Sequence, residues 1–227
     1  MAKQLDLEEQ EQLDQLKHFW KQYGNLITWV LIAALGAYAG WNGYQYWQRS
    51  QAAQASALYD ELERLAAQRD PVKVQRAFND MKDKFGGTVF ATQGALLAAR
   101  LQQEAGKLDE AKAALAWAAD NASEPAYQAI ARLRLAALLA QAKDYPAAMA
   151  RLEGAFPAEF QPLVADRKGD LLMLQDKPAE ARAQYQTAWA GLGPRSEYRR
   201  LVEIKLTALG ADPRPVPGAS AAVEGKQ

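Results

Sequence analysis

The stretch AIARLRLAALLAQAKDYPAAMARLEGA, residues 129–155, is the middle one of three segments that can be laid over one another. The first segment covers residues 92–118 and the third covers residues 162–188. Each segment has apolar residues at three- and four-residue steps, then a polar turn, then a second apolar run that starts with alanine. Because three- and four-residue steps are the helical period, we predict that each segment folds as two antiparallel helices.

A register of small and large residues runs through the three segments. The alanine after the turn recurs as Ala111, Ala148 and Ala181, at separations of 37 and 33 residues. A larger apolar residue comes four positions later, a small residue comes three positions after that, and another small residue lies twelve positions before the alanine. The larger residues are Leu115, Leu152 and Tyr185. The small residues that follow them are Ala118, Ala155 and Ala188, and the small residues twelve positions before the alanine are Ala99, Ala136 and Gly169.

This register resembles the tetratricopeptide repeat, a pair of antiparallel helices of 34 residues. The match is degenerate, because no Trp stands near the start of each unit and most of the closing prolines are missing. The alternative is a non-repeating helical bundle with alanine-rich packing. If the repeats are present, stacking buries apolar faces that no single pair can bury, and it leaves a concave surface for a partner.

Further helices are predicted on both sides of the repeats. Residues 51–85 have the pattern of a helical hairpin with its turn at Asp70 and Pro71, which brings the stack to about four pairs. Residues 195–209 have the pattern of a capping helix. We expect its Leu201, Ile204 and Leu209 to face the stack and its Arg195, Arg199, Arg200 and Lys205 to face water.

The chain composition excludes several kinds of chemistry. The 227 residues carry 27 basic and 27 acidic side chains, and zero net charge argues against broad nucleic-acid binding. The absence of Cys excludes disulfides and thiolate ligands, and the single histidine, His18, excludes a multi-His metal site or a His-based triad. No phosphate-binding loop or nucleophile elbow is present. We therefore expect an all-α, non-enzymatic protein without a cofactor.

A charge-free run of 27 residues, from Gln22 to Gln48, precedes the repeats. A helix needs about 20 apolar residues to cross a bilayer, so this run is long enough to span one. Aromatic residues stand at both of its ends, as in the interfacial belt of a membrane helix. The sequence thus predicts a leader (1–21), a membrane helix (22–48), a helical domain (49–209) and a disordered tail (210–227).

The orientation of the membrane helix follows from a small excess of nearby lysines. Lys17 and Lys21 precede the span and Arg49 follows it, which favours a cytoplasmic N-terminus. Within the span, Gly36 and Gly40 form a G-x-x-x-G pair that would let another helix approach closely. The alternative is that both glycines merely reflect the general composition of membrane helices.

Charged residues inside apolar stretches of the repeats give candidate partner contacts. Arg134 and Asp166 fall at adjacent positions of neighbouring repeats, where they are able to form an ion pair between units. The alternative is that they belong to a charged patch on the concave face. A binding groove on the first helices of the pairs would include Arg100, Gln103, Arg134, Asp166, Arg167, Asp170 and Met173.

Four stretches connect the chain to a known family. They are EEQEQLDQLKHFWKQYGN before the span, GWNGYQYWQRSQAAQASALYDEL after it, AIARLRLAALLAQAKDYPAAMARLEG in the second repeat and LVADRKGDLLMLQDKPAEARAQYQTAW in the third. With them the chain resembles the YfgM family, the ancillary subunit of the bacterial SecYEG translocon. The stretches span most of residues 8–190.

The resemblance implies a single-pass type II protein of the bacterial inner membrane with a periplasmic tetratricopeptide-like domain. It implies association with SecYEG and with a membrane-anchored periplasmic chaperone of the prolyl-isomerase type, and it implies that emerging secreted chains are handed over to periplasmic chaperones. The alternative function is a membrane-anchored scaffold or envelope-stress regulator that never contacts secreted chains.

Overall fold

A computed structural model describes the backbone of residues 7–211 and the side chains of residues 12–211, and this part of the chain is all-helical, as expected. The start of the predicted leader and residues 212–227 of the predicted tail lie outside the described residues. The α-helices are α1 (Leu7–Ala67), α2 (Pro71–Phe85), α3 (Val89–Glu104), α4 (Leu108–Asn121), α5 (Pro125–Gln141), α6 (Tyr145–Arg151), α7 (Gln161–Leu174), α8 (Pro178–Gly191) and α9 (Glu197–Ala208), with a 3-10 turn at Ala158–Phe160.

The chain forms two units, one up to residue 53 and one from residue 54 onward. In the first unit the described residues all belong to α1, the one helix of the described part that is long and apolar enough to cross a membrane. Along the charge-free run of this helix the large apolar side chains are mostly exposed; Leu35, for example, is 66% exposed. A soluble core helix would bury these side chains, so their exposure favours a membrane span.

The repeat register predicts the buried positions of the second unit well. Ala111, Ala148 and Ala181 are fully buried, and so are the larger residues four positions later. Ala99, Ala136 and Gly169 are buried on the first helices of their pairs. Small residues at these points let the two helices of a pair pack closely, while the larger residue fills the space beside them.

Each helical pair turns in the same way. Arg69, Gly106, Lys143 and Asp176 all have φ between 54° and 74°, in the left-handed region that ends a helix. In the three later turns, the next N–H donates to the carbonyl five residues back, as Lys107 does to Gln102 at 2.8 Å. This Schellman hydrogen bond satisfies a terminal carbonyl and starts the second helix.

The 51–85 hairpin is a further unit in the same register. Val74 lies 37 residues before Ala111 and is fully buried, and Phe78 and Met81 occupy the next two core positions. Leu62, twelve residues before Val74, is buried on the first helix. In this hairpin larger side chains fill the positions where the later repeats have alanine. The next repeat has Gly94 beside one of them, since a Cβ atom added to Gly94 would lie 2.8 Å from the Met81 sulfur.

The second helix of the middle repeat is shorter than the register predicts. The α6 helix ends at Arg151, and Ala155, expected as a buried small residue, is exposed. Gly154 follows with a φ of 80°, and Pro157 lacks the N–H that a continuing helix needs. The equivalence of Ala155 with Ala118 and Ala188 is therefore wrong.

The capping helix α9 presents a different face to the stack from the predicted one. Leu209 packs against the core cluster, as expected, but the fully buried residues of the helix are Val202 and Leu206, which were not predicted. Leu201 is 45% exposed and Ile204 is 62% exposed, so their predicted inward orientation is wrong. The helix is rotated from the predicted orientation because Lys205 also points inward, to two aspartates of α7.

Candidate partner-binding face and its buried charge network

Two hollows open between the first helices of successive pairs. Hollow one lies between the end of α1 and α3 and has a volume of about 720 Å³. Hollow two lies between α5 and α7 and has a volume of about 380 Å³. Hollow one is lined by Tyr59, Glu63, Ala66, Ala67, Arg69, Leu97, Arg100, Leu101 and Glu104; hollow two is lined by Ala137, Ala140, Gln141, Lys143, Tyr145, Arg167, Asp170, Leu171 and Leu174.

The two hollows are equivalent positions of the repeat. The four residues of α3 that line hollow one lie 70 residues before the four of α7 that line hollow two. The other wall of each hollow shows a constant separation of 74 residues. It joins residues 63, 66, 67 and 69 of hollow one to residues 137, 140, 141 and 143 of hollow two. The same backbone recess is therefore built twice with different side chains.

The side chains make hollow one polar and charge-balanced. Glu63 and Arg69 line its α1 side and Arg100 and Glu104 line its α3 side, where Arg100 Nε lies 3.4 Å from Glu104 Oε1. Burial raises the pKa of the Tyr59 hydroxyl, and the neighbouring Glu63 carboxylate raises it further. Hollow two carries Ala137 and Leu174 at the positions of the two glutamates, and its surface is mainly apolar.

The structure divides the seven predicted groove residues among different environments. Arg100 lines hollow one, and Arg167 and Asp170 line hollow two. Gln103, Arg134 and Met173 are exposed on α3, α5 and α7 and line neither hollow. Asp166 is fully buried, so it offers no surface to a partner.

Asp166 is the centre of a charge network that holds α9 on α7. Its carboxylate accepts hydrogen bonds from the Tyr198 hydroxyl at 2.6 Å and from Lys205 Nζ at 2.8 and 2.9 Å. The same ammonium donates to Asp170 Oδ1 at 2.7 Å, and that oxygen also accepts from the Tyr185 hydroxyl at 2.8 Å. Every partner of the buried carboxylate thus belongs to the capping helix.

The predicted ion pair between Arg134 and Asp166 is therefore wrong. Arg134 is exposed on α5, while the oxygens of Asp166 are occupied by Tyr198 and Lys205. The expectation that Lys205 faces water is also wrong, since its side chain is only 22% exposed. Asp166 holds successive helical elements in register, but its partners lie on α9 and not on the preceding repeat.

Burial and charge together keep the two tyrosine hydroxyls of the network protonated. Burial raises the pKa of Tyr185 well above its usual range, and its hydrogen bond to the Asp170 carboxylate raises it further. Burial and the hydrogen bond to Asp166 raise the pKa of Tyr198 in the same way. Both hydroxyls therefore act as hydrogen-bond donors and not as proton-transfer groups at neutral pH.

Arg132, two residues before Arg134, is the arginine of α5 that has a structural role. Its Nε donates to the Arg151 carbonyl at 3.0 Å, its Nη1 donates to the Ala155 carbonyl at 2.9 Å, and its Nη2 donates to the Glu153 carbonyl. The guanidinium also lies 3.8 Å above the Phe156 ring. One side chain thus holds the irregular segment that follows the short α6.

Sequence reasoning missed the roles of Lys205, Tyr198 and Arg132. The signal for α9 was present, because Tyr198, Val202, Leu206 and Leu209 form a stripe at helical spacing that is longer than the stripe through Leu201 and Ile204. Arg132 gave no such signal, because its partners are backbone carbonyls of a segment whose path the sequence pattern does not define.

Comparison with known proteins agrees with this geometry. A family model described as a tetratricopeptide repeat-like domain matches residues 17–211. A protein of Neisseria gonorrhoeae named ancillary SecYEG translocon subunit is 33% identical over 204 residues, 89% of this chain and 98% of its own length. The chain belongs to this family. The resemblance inferred from the sequence is therefore confirmed, together with the tetratricopeptide-like fold.

Other ancillary SecYEG translocon subunits match over similar lengths. The Haemophilus influenzae protein is 27% identical over 182 residues, which are 80% of this chain and 89% of that protein. The Escherichia coli protein is 26% identical over 181 residues, 78% of this chain and 85% of its own. The matches thus extend over most of each ancillary subunit and are not confined to one repeat.

Proposed function

We propose that this chain is a non-enzymatic ancillary subunit of the SecYEG translocon. The main support for the proposal is family membership, since relatives named ancillary SecYEG translocon subunit match 78–89% of this chain. A scaffold role fits the fold, because stacked helical pairs present an extended recessed surface. Among the described residues no three His, Cys, Asp or Glu side chains are grouped to hold a metal ion.

The membrane helix anchors the protein in the bacterial inner membrane. We propose a type II orientation, with residues 1–21 in the cytoplasm and residues 49–209 in the periplasm, on the basis of the two lysines before the span. Gly36 and Gly40 are proposed contacts for a translocon helix. A Cβ atom added at either glycine would meet nothing within 4 Å in this chain, so the surface there is open to another helix.

The periplasmic domain provides the second contact in this proposal. Its recessed face, with hollow one and hollow two, would hold a membrane-anchored chaperone of the prolyl-isomerase type or an emerging secreted chain. Arg100, Gln103, Arg134, Arg167 and Met173 have exposed or half-exposed side chains on the first helices and stay in the proposed contact set. Asp166 is not proposed as a partner contact because it is buried. Asp170 acts mainly by accepting the hydrogen bond of Lys205 that helps to orient α9.

Photo-crosslinking in living cells tests both contacts. A photoreactive amino acid is placed at Gly36 or Tyr44 in the span, and at Arg134 or Met173 on the repeat face. Gln186, exposed on α8 away from both hollows, is the matched control position. Translocon subunits are expected as adducts of the span positions, and a periplasmic chaperone or secreted chains as adducts of the repeat positions.

The alternative, a scaffold or envelope-stress regulator that does not touch secreted chains, gives a different result. Adducts would then come only from signalling or envelope-assembly proteins, and the translocon proposal would fail. A second measurement separates the two units of the chain. If residues 1–50 alone restore function in a deletion strain, the repeat face is not required, and only the anchor part of the proposal survives.

A further inference from the structure

We infer that hollow two binds extended peptide segments in which an apolar side chain stands next to an acidic one. This inference rests on the proposed function, because it gives the chemistry of the partner for one part of the repeat face. Four features of the hollow support it: its apolar floor, its unpaired cation, its size and its difference from hollow one.

The floor of hollow two is made of aliphatic side chains. Ala137 and Ala140 of α5 face Leu171 and Leu174 of α7 across it. Leu171 is fully buried, whereas Leu174 is 55% exposed and forms an open apolar wall. An exposed leucine beside an apolar recess gains free energy when a ligand covers it, and an aliphatic side chain supplies such cover without leaving polar atoms unpaired.

The charges around hollow two leave one cation available at the rim. Arg167 lies 3.6 Å from Asp170, and Lys205 is shared between Asp166 and Asp170, so the two carboxylates already have cationic partners. Lys143 lines the same hollow and has no ion-pair partner among the described residues. Its neighbour Asp144 caps α6 by accepting from the Ala147 N–H at 3.1 Å. The surplus charge of the rim is therefore positive.

Arg134 extends this positive rim along α5. It stands one helical turn before Ala137, so the two residues share a face of α5, and its side chain is exposed. A carboxylate placed between Lys143 and Arg134 would be attracted by both. A lysine in the same place would be repelled, and this repulsion provides selection against basic segments.

The size of hollow two favours an extended segment over a helix. A volume of about 380 Å³ is near the lower end of the range of about 300–1,000 Å³ for binding pockets. A whole helix has a diameter of about 10–12 Å and would not enter such a recess. An extended strand points successive side chains to opposite sides, so an apolar side chain can enter the hollow while its acidic neighbour stays outside it, near the charged rim.

Hollow one provides the internal comparison, because it has the same register and a different chemistry. Arg69 corresponds to Lys143, and both have a left-handed backbone, with φ of 54° and 63°. Arg69 lies among two glutamates and a second arginine, and Glu104 stands where hollow two has Leu174. A segment that suits hollow two therefore finds neither an apolar wall nor a surplus cation in hollow one.

Fluorescence anisotropy with the full chain in lipid nanodiscs tests the inference. The probes are fluorescein-labelled peptides GSGLDGLDGSG, GSGLKGLKGSG and GSGSDGSDGSG. We expect saturable binding of the Leu-Asp peptide only. Lys143→Glu should weaken it about three- to fivefold, the size of one exposed ion pair, and Leu174→Gln about tenfold, the size of one lost leucine contact.

The matched controls are the equivalent changes in hollow one. Arg69→Glu makes the same change as Lys143→Glu at a residue with the same left-handed backbone, and Glu104→Gln introduces glutamine at the position equivalent to Leu174. Both variants should leave the affinity for the Leu-Asp peptide within about twofold of the parent value. Equal binding of the Leu-Lys peptide, or an equal loss in the hollow-one variants, overturns the inference. Absence of saturable binding also overturns it, while the crosslinks of the span positions would still decide the proposed translocon association.

Discussion

At the scale of single residues, Gly169 determines how the last helical pair packs. The equivalent residues are Ala99 and Ala136, and each faces a leucine on the second helix of its pair. In the third repeat the leucine is replaced by Tyr185, and a Cβ atom added to Gly169 would lie 2.5 Å from its ring carbon Cε1. The missing methyl group therefore lets a larger ring lie against α7, where its hydroxyl reaches Asp170.

Substitution of Gly169 by alanine should destabilise the domain by about 1–3 kcal/mol, because the ring must leave its place. Thermal and urea denaturation measure this change. Gly193→Ala is the control, since a Cβ atom there meets nothing within 4 Å.

The double variant Gly169→Ala with Tyr185→Leu recreates the pairing of the first two repeats. It should cost less than the sum of the two single variants, because the clash is removed. If the destabilisation of the double variant equals the sum of the two single variants, Gly169 is not required to make room for the Tyr185 ring.

The raised pKa values of Tyr185 and Tyr198 predict a stability change at alkaline pH. The unfolded hydroxyls lose their protons near pH 10, their usual pKa, while the folded hydroxyls keep theirs. The stability that these tyrosines contribute is thus complete below pH 10 and is lost as pH rises above it. Urea denaturation at pH 9 and pH 11 should show a smaller loss in Tyr198→Phe than in the parent protein. An equal loss in both proteins would contradict the assignment.

At the scale of helices, α6 shows how one side chain compensates for a shortened element. The helix ends at Arg151, and the chain then follows an irregular path to the 3-10 turn at Ala158–Phe160. Backbone carbonyls of such a segment lack helical hydrogen-bond partners. The guanidinium of Arg132 on α5 donates hydrogen bonds to three of these carbonyls. The planar guanidinium can bond several carbonyls at once, which a lysine ammonium at the same position cannot reproduce.

Arg132→Lys should lower the free energy of unfolding by about 1–3 kcal/mol, the cost of leaving carbonyls unpaired. Amide hydrogen exchange should become faster in residues 151–157. Arg134→Lys, two residues away on the same helix and exposed, is the control and should have no measurable effect. Unchanged exchange in Arg132→Lys would show that the segment is held by other contacts.

At the scale of the whole chain, the helical pairs of the second unit form a row of local cores. One cluster joins the end of α1 to α5 and contains Phe78, Leu115 and Leu135. Another joins α7, α8 and α9 around Tyr185 and Leu206. In a stack of this kind each unit depends mainly on its neighbours, so damage at one end should stay local.

Asp166→Ala tests this locality, because it leaves Lys205 without its fully buried partner. The loss of one member of a buried ion pair costs about 3–5 kcal/mol. Hydrogen exchange should become faster throughout α7, α8 and α9, while α3 and α4 keep their protection. Arg134→Ala, the former candidate partner of Asp166, should change stability by less than about 0.5 kcal/mol. A uniform loss of protection from α2 to α9 would mean that the stack unfolds as one unit.

The sequence by itself determined the long apolar helix, the helical pairs, their turns and most of their buried alanines. These features are local: a period of three to four residues, a capping residue and a run without charge each act within one or two helices. The register of Ala111, Ala148 and Ala181 succeeded for this reason, and so did the resemblance to the translocon subunits.

Only the tertiary structure decided which face of α9 turns inward, which arginine of α5 is structural and where Asp166 finds its partners. The helix α9 has apolar residues on two sides, and periodicity alone does not choose between them. Lys205 and Tyr198 settle that choice by meeting a carboxylate 39 and 32 residues away in the chain. Such contacts depend on how whole helices dock, because the cost of burying a charge is recovered only where its partner arrives in space.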